Sequence, residues 1–116
     1  MQFTHEHREV QKTLKRYIDE HIKQDITAEQ LSRYSHLSLR SLYLLFEKNA
    51  KMTPKQYIRQ KKLEQIRASL SDPASRVRNV TEVALDYGFL HLGRFSESYK
   101  SAFGELPSDT LRRRES

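Results

Sequence analysis

Apolar residues recur at helical spacing along almost the whole chain, and no stretch of length alternates with the two-residue rhythm of a strand. Val10, Leu14, Tyr17 and Ile18 predict an amphipathic helix from about Glu6 to His21. Thr27 with Gln30 has the form of a capping box; it opens a short helix with Leu31 inward that ends near Ser35 and His36. Ser38 then serves as N-cap for a helix whose stripe is Leu42, Leu45 and Phe46, running to about Asn49.

Thr53, Pro54 and Gln56 start a longer helix that Asp72 and Pro73 stop after Leu70, with Tyr57, Ile58, Leu63, Ile66 and Leu70 as its expected buried face. Residues 71–79 carry turn formers without apolar periodicity and are expected to be a linker. Asn79 and Glu82 open another short helix with Val83 and Leu85 as its apolar positions, ended by a left-handed Gly88. A helix from about His91 follows, with the stripe Phe95, Tyr99 and Phe103; beyond Gly104 and Pro107 a last one carries Leu111 and Arg112 to Arg114.

The pattern repeats. Leu31 to Leu37 and Val83 to Phe89 are both six apart, and Leu42 to Phe46 and Phe95 to Tyr99 both four. A small residue, Ser32 or Ala84, follows the first anchor of each copy, as close crossing of two helices at a tight turn demands. The turns differ by one residue, since Leu37 to Leu42 is five and Phe89 to Phe95 is six. The expected fold is all-α: about seven helices in two helix-turn-helix subdomains, residues 1–52 and 72–116, joined by a linker helix over 53–71. Its helix from Thr53 to Leu70 extends about 27 Å at 1.5 Å per residue, a rigid spacer suited to two helix-turn-helix units in successive major grooves, about 34 Å apart.

Composition narrows the partner. The 116 residues hold 21 Lys plus Arg against 15 Asp plus Glu, a net charge of +6, which favours a polyanion. Cysteine is absent, which removes disulfides and thiolate metal sites. No apolar run reaches membrane-spanning length and the first residues lack the apolar core of a secretory signal, so a cytoplasmic, nucleoid-associated protein without membrane contact is expected. Five histidines, at 5, 7, 21, 36 and 91, form no ligand motif and read as surface or turn residues, His36 suiting the turn where the second copy has Gly88. Carboxylate pairs such as Glu6 with Glu9 and Asp19 with Glu20 read as solvated faces. Nucleophile-elbow, P-loop and dinucleotide glycine patterns are missing, so neither enzyme activity, cofactor nor metal is expected.

Two segments, LSLRSLYLLFEKNAKMTPKQYIRQKKLEQIRASLSDP and VTEVALDYGFLHLGRFSESYKSAFGELPSDTLR, strongly resemble the DNA-binding domain of AraC/XylS-type bacterial transcription regulators. YGF, HLGRF and FGELPSDTL are most similar to the XylS-type subgroup, activators of benzoate and toluate operons. The resemblance implies two helix-turn-helix units binding one face of double-stranded promoter DNA and a contact with RNA polymerase. It also implies that the effector-binding domain of such regulators is absent from this chain, an excised domain or a free-standing short regulator.

Carried over by position, Arg40, Tyr43, Leu44, Glu47 and Lys48 are the base-contact candidates of the first reading helix, and His91, Leu92, Gly93, Arg94 and Glu97 those of the second. Arg94 suits guanine O6 and N7; Glu97 suits cytosine N4 or holds Arg94 from one turn away. Leu44 stands where the family commonly has a polar or basic residue, which suggests a thymine-methyl contact, and Lys51 stands where glycine is frequent. Phosphate-contact candidates are Ser38, Lys55, Arg59, Lys61, Lys62, Ser96, Lys100, Arg112, Arg113 and Arg114. The competing readings are a helical protein-interaction adaptor whose basic charge is incidental, and a nonspecific nucleoid or RNA binder.

Overall fold

The computed structural model describes residues 5–114, with side chains from Arg8 onward; the side chains of His5, Glu6 and His7 lie outside the described residues. Seven helices and no strand occur among them: α1 (His5–Glu20), α2 (Ala28–Ser35), α3 (Leu39–Ala50), α4 (Pro54–Ser71), α5 (Val80–Asp86), α6 (Leu92–Phe103) and α7 (Pro107–Arg114). They form two compact units, one ending at Arg59 and the other beginning at Gln60, so that the division falls within α4.

In the first unit α1 packs on α2 and α2 on α3. Its core is Leu14, Ile18, Ile26, Leu31, Leu42, Leu45, Phe46, Tyr57 and Ile58. Thr27 and Gln30 close the expected capping box, each side chain bonding the other's backbone N–H at 3.1 and 3.0 Å. His36 ends α2 in the left-handed region at φ 61°, which turns the chain into α3. The polar side chains of this turn satisfy local backbone: the Ser35 hydroxyl donates to the Leu31 carbonyl at 2.8 Å, and that of Ser32 donates to the Leu37 carbonyl. Ser38 caps α3 by accepting from the Ser41 N–H at 3.1 Å.

Thr53 and Gln56 form a second capping box at the start of α4. All five expected α4 positions are buried, but not as one face. Tyr57 and Ile58 belong to the first core, and the step of five to Leu63 breaks the phase. Leu63, Ile66 and Leu70 then repeat at helical spacing within the second unit.

In that unit α5, α6 and α7 pack on one another. Its buried apolar residues are Leu63, Ile66, Leu70, Val83, Ala84, Tyr87, Phe95 and Tyr99. An aromatic series runs through Phe89, Phe95, Tyr99 and Phe103, with successive ring centroids 5.0, 6.0 and 4.7 Å apart. Leu85, expected inside, is exposed, while Ala84, the small residue expected at the helix crossing, is buried. The reason is angular: Val83, Ala84 and Tyr87 share one side of the short helix, while two residues' rotation carries Leu85 about 200° from Val83.

Gly88, at φ 88°, closes α5 in a Schellman motif, its N–H bonding the Leu85 carbonyl and the Phe89 N–H that of Ala84, both at 2.9 Å. The stretch after α4, expected to be a linker, is tied to its own unit: the Arg114 guanidinium donates to the carbonyls of Ser69 and Asp72 at 3.5 Å and of Val77 at 2.9 Å. On α7 it is Pro107 and Thr110 that are buried, with Leu111 half-buried.

Candidate nucleic-acid interface

The second helix of each copy, α3 or α6, buries one stripe and leaves the other exposed. Leu42, Leu45 and Phe46 hold α3, and Phe95 and Tyr99 hold α6. All ten base-contact candidates are consequently exposed: Arg40, Tyr43, Leu44, Glu47 and Lys48 on α3, and His91, Leu92, Gly93, Arg94 and Glu97 at the start and outer side of α6. Four of them, Arg40, Tyr43, Leu44 and Glu47, line an open cleft of about 450 Å³ together with Met52 and Thr53. Met52 and Thr53 are not among the base-contact candidates, because they follow α3 and reach the cleft only through the fold of the turn into α4.

Arg40 and Arg94 carry no ion pair among the described residues. No ion pair joins Arg94 to Glu97 among the described residues, although the two lie one turn apart on α6, which leaves the other role read for Glu97, an acceptor for cytosine N4. Exposed guanidinium groups gain little from such a pairing, so Arg94 stays available to an external acceptor.

The helix starts differ electrostatically. The first turns of α2, α5 and α7 carry Glu29, Glu82 and Asp109, the charge that favours a helix N-terminus, whereas those of α3, α4 and α6 carry no acidic residue. An acidic group there would stabilise the helix but repel a phosphate. His91, the N-cap of α6, makes no side-chain capping bond.

The phosphate candidates divide. Ser38, Lys55, Arg59 and Lys100 are exposed, and Ser96 is half-buried. Lys61 lies 3.7 Å from Glu64. Lys62 is half-buried and donates to the Tyr87 carbonyl at 3.0 Å, at the C-cap of α5. The tail arginines all have intramolecular partners: Arg112 pairs with Asp109 at 3.3 Å, Arg113 forks onto Glu105 with one arm at 2.7 Å, and Arg114 holds the loop carbonyls already described.

The Glu105 fork continues inward. Thr110 gives its one hydroxyl hydrogen to Glu105, so the 2.7 Å bond between Thr110 and Tyr99 has the Tyr99 O–H as donor. The hydrogen bonds from Arg113 and then Thr110 hold the Glu105 carboxyl below the usual carboxylate range. Burial pushes the Tyr99 hydroxyl up, so it stays a neutral donor. Arg67 lies over the Phe103 ring at 4.8 Å. This network fixes α7 to α6 through the buried side of α6, on which Tyr99 lies. No cluster of metal-binding side chains occurs among the described residues, and no described helix is long and apolar enough to cross a membrane.

A family model described as a helix-turn-helix domain matches residues 31–113. The XylDLEGF operon transcriptional activator of Pseudomonas putida is 64% identical over 96 residues, which are 83% of this chain and 30% of that protein. The probable thc operon regulatory protein of Rhodococcus erythropolis is 39% identical over 98 residues, 83% of this chain and 29% of that one. The chain thus spans under a third of the length of these two relatives. Among solved structures, a probable AraC family transcriptional regulator from Rhodopseudomonas palustris CGA009 superposes with a TM-score of 0.82 at 31% identity, covering 91% of this chain and 97% of that one. With two matching helix pairs, exposed outer faces on α3 and α6, and these relatives, the chain belongs to the AraC/XylS-type family of helix-turn-helix transcription regulators.

Proposed function

We propose that this chain is the sequence-reading part of a bacterial transcriptional activator, with α3 and α6 each entering a major groove of promoter DNA, in successive turns of one duplex face. The observation that carries this reading is the pair of exposed guanidinium groups, Arg40 and Arg94, on helices whose first turns hold no acid. The major groove admits one helix, and its guanine edges offer the O6 and N7 acceptors an arginine fork takes. Lys55 and Arg59 on α4 and Lys100 on α6 are exposed, and phosphate contacts from them would fix register without reading sequence. Contact with RNA polymerase, location at the cytoplasmic nucleoid and a role without catalysis belong to the same reading, supported by the named activators among the relatives.

The experiment is a salt titration of binding to a promoter duplex selected by footprinting. Phosphate contacts from Lys55, Arg59 and Lys100 alone predict a loss of about one and a half decades in affinity as salt rises fourfold. A chain acting as a protein-interaction adaptor would show no saturable duplex binding. A nonspecific binder would show the salt slope on promoter and random duplexes alike.

A further inference from the structure

Of the eight large apolar side chains exposed among the described residues, five lie on the reading helices or at the entry to them: Leu39, Tyr43 and Leu44 at α3, Leu90 and Leu92 at α6. Single exposed apolar residues need no explanation, but these are concentrated in two places. The two places correspond. Leu39 and Leu92 are the first residues of α3 and α6, each separated by three positions from the helix's first buried anchor, Leu42 or Phe95, and they are 42% and 39% exposed. Neither core requires them, since α3 is held by Leu42, Leu45 and Phe46 and α6 by Phe95 and Tyr99. The longer second turn places a further leucine, Leu90, 77% exposed, just ahead of α6.

We propose that Leu39 and Leu92 read thymine, each through its 5-methyl group, and that Leu90 adds a second apolar contact in the half-site of α6. This rests on the DNA-binding reading above. The argument is one of complementarity. The N-terminal residues of a helix in the major groove meet base edges, and the apolar group that base edges present there is the thymine methyl. A leucine laid on the polar edges of the other bases removes their water without returning a hydrogen bond, whereas against that methyl both surfaces lose water favourably. Discrimination in each half-site then combines an arginine on guanine with a leucine on thymine, and the added Leu90 makes the two half-sites unequal.

The test uses the 116-residue chain and duplexes enriched by it from a randomised library. Each thymine of an enriched duplex is replaced in turn by uracil, which differs only in lacking the methyl. In each half-site at least one replacement is expected to weaken binding about three- to fivefold, the effect of one buried methyl group. Leu39→Ala is expected to abolish the thymine–uracil difference at one position of the α3 half-site and Leu92→Ala at one position of the α6 half-site, with melting curves nearly unchanged because both side chains stand outside the cores. Leu90→Ala is expected to reduce the difference in the α6 half-site alone. If no duplex is enriched, the DNA-binding reading itself falls. If duplexes are enriched but uracil changes nothing, or its effect survives the alanine variants, the methyl contacts are overturned while DNA binding stands. Loss of promoter activation without loss of binding in Leu90→Ala would assign that residue to a protein partner and overturn its role here.

Discussion

Lys62 donates its ammonium hydrogen to the Tyr87 carbonyl at 3.0 Å, at the point where α5 ends and the turn toward α6 begins. A cation at a helix C-terminus satisfies an otherwise orphaned carbonyl and complements the dipole. Lys62→Ala is therefore expected to destabilise the fold by about 1 to 2 kcal/mol, read from denaturant unfolding. It is expected to leave the salt slope of duplex binding unchanged, whereas Arg59→Ala flattens that slope by about one unit. A flattened slope with unaltered stability would return Lys62 to the phosphate contacts.

Gly93 sits in the first turn of α6, and a Cβ built there would meet nothing within 4 Å. The fold does not call for glycine, which costs a helix roughly 1 kcal/mol relative to alanine. Gly93→Ala is expected to raise the unfolding free energy by about 0.5 to 1 kcal/mol while weakening duplex binding, because the missing side chain is room for a close approach. Gains in both stability and affinity would show that nothing approaches this turn.

Arg94→Ala is expected to leave helical content and the melting curve nearly unchanged, since the guanidinium has no partner among the described residues. Binding to a selected duplex should weaken by about 1 to 3 kcal/mol, with one base position relaxed. Equal loss on random and selected duplexes would reassign Arg94 to the backbone.

The Glu105 carboxyl is held low by hydrogen bonds from Arg113 and Thr110. A carboxylate whose folded value lies below its unfolded one stabilises the fold above the ordinary carboxylate range, and that contribution is lost as pH falls through the folded value. Glu105→Gln is accordingly expected to melt earlier than the parent at neutral pH and to converge with it in acid. A constant gap between the two across an acid titration would mean the charge is immaterial.

Lys51 ends α3 in the left-handed region at φ 58°, its N–H bonding the Glu47 carbonyl; Gly104 ends α6 in the same way at φ 77°. The glycine pays no Cβ penalty there. Lys51→Gly is expected to raise the unfolding free energy by about 0.5 to 1 kcal/mol, after allowing for the looser unfolded chain. A lowered melting temperature would indicate that the lysine side chain makes a stabilising contact.

Helix starts were legible because capping is local: Thr27 with Gln30, Ser38, Thr53 with Gln56 and Asn79 each perform the bond their spacing implies. The left-handed His36 was legible through its match to Gly88 in the other copy. Burial was less so where a helix is short: Leu85 reads as inward but is exposed, because seven residues give periodicity too few turns to fix a face. The division of α4 between two cores was hidden, since a one-helix pattern does not say which core each leucine serves. On the candidate surface the exposed positions followed from the buried ones, but the partners of Lys62, Arg113 and Arg114 are set by contacts 25, 8 and up to 45 residues away, which no local pattern encodes.

Because α4 lends Tyr57 and Ile58 to one core and Leu63, Ile66 and Leu70 to the other, there is no loop at which either half ends. A genetic crossover that swapped one half between related proteins would have to join two sequences in mid-helix near Gln60, keeping its turn-by-turn phase. Descent with modification should thus transmit both halves as one inheritance, with their separate preferences drifting by point changes on the outer faces.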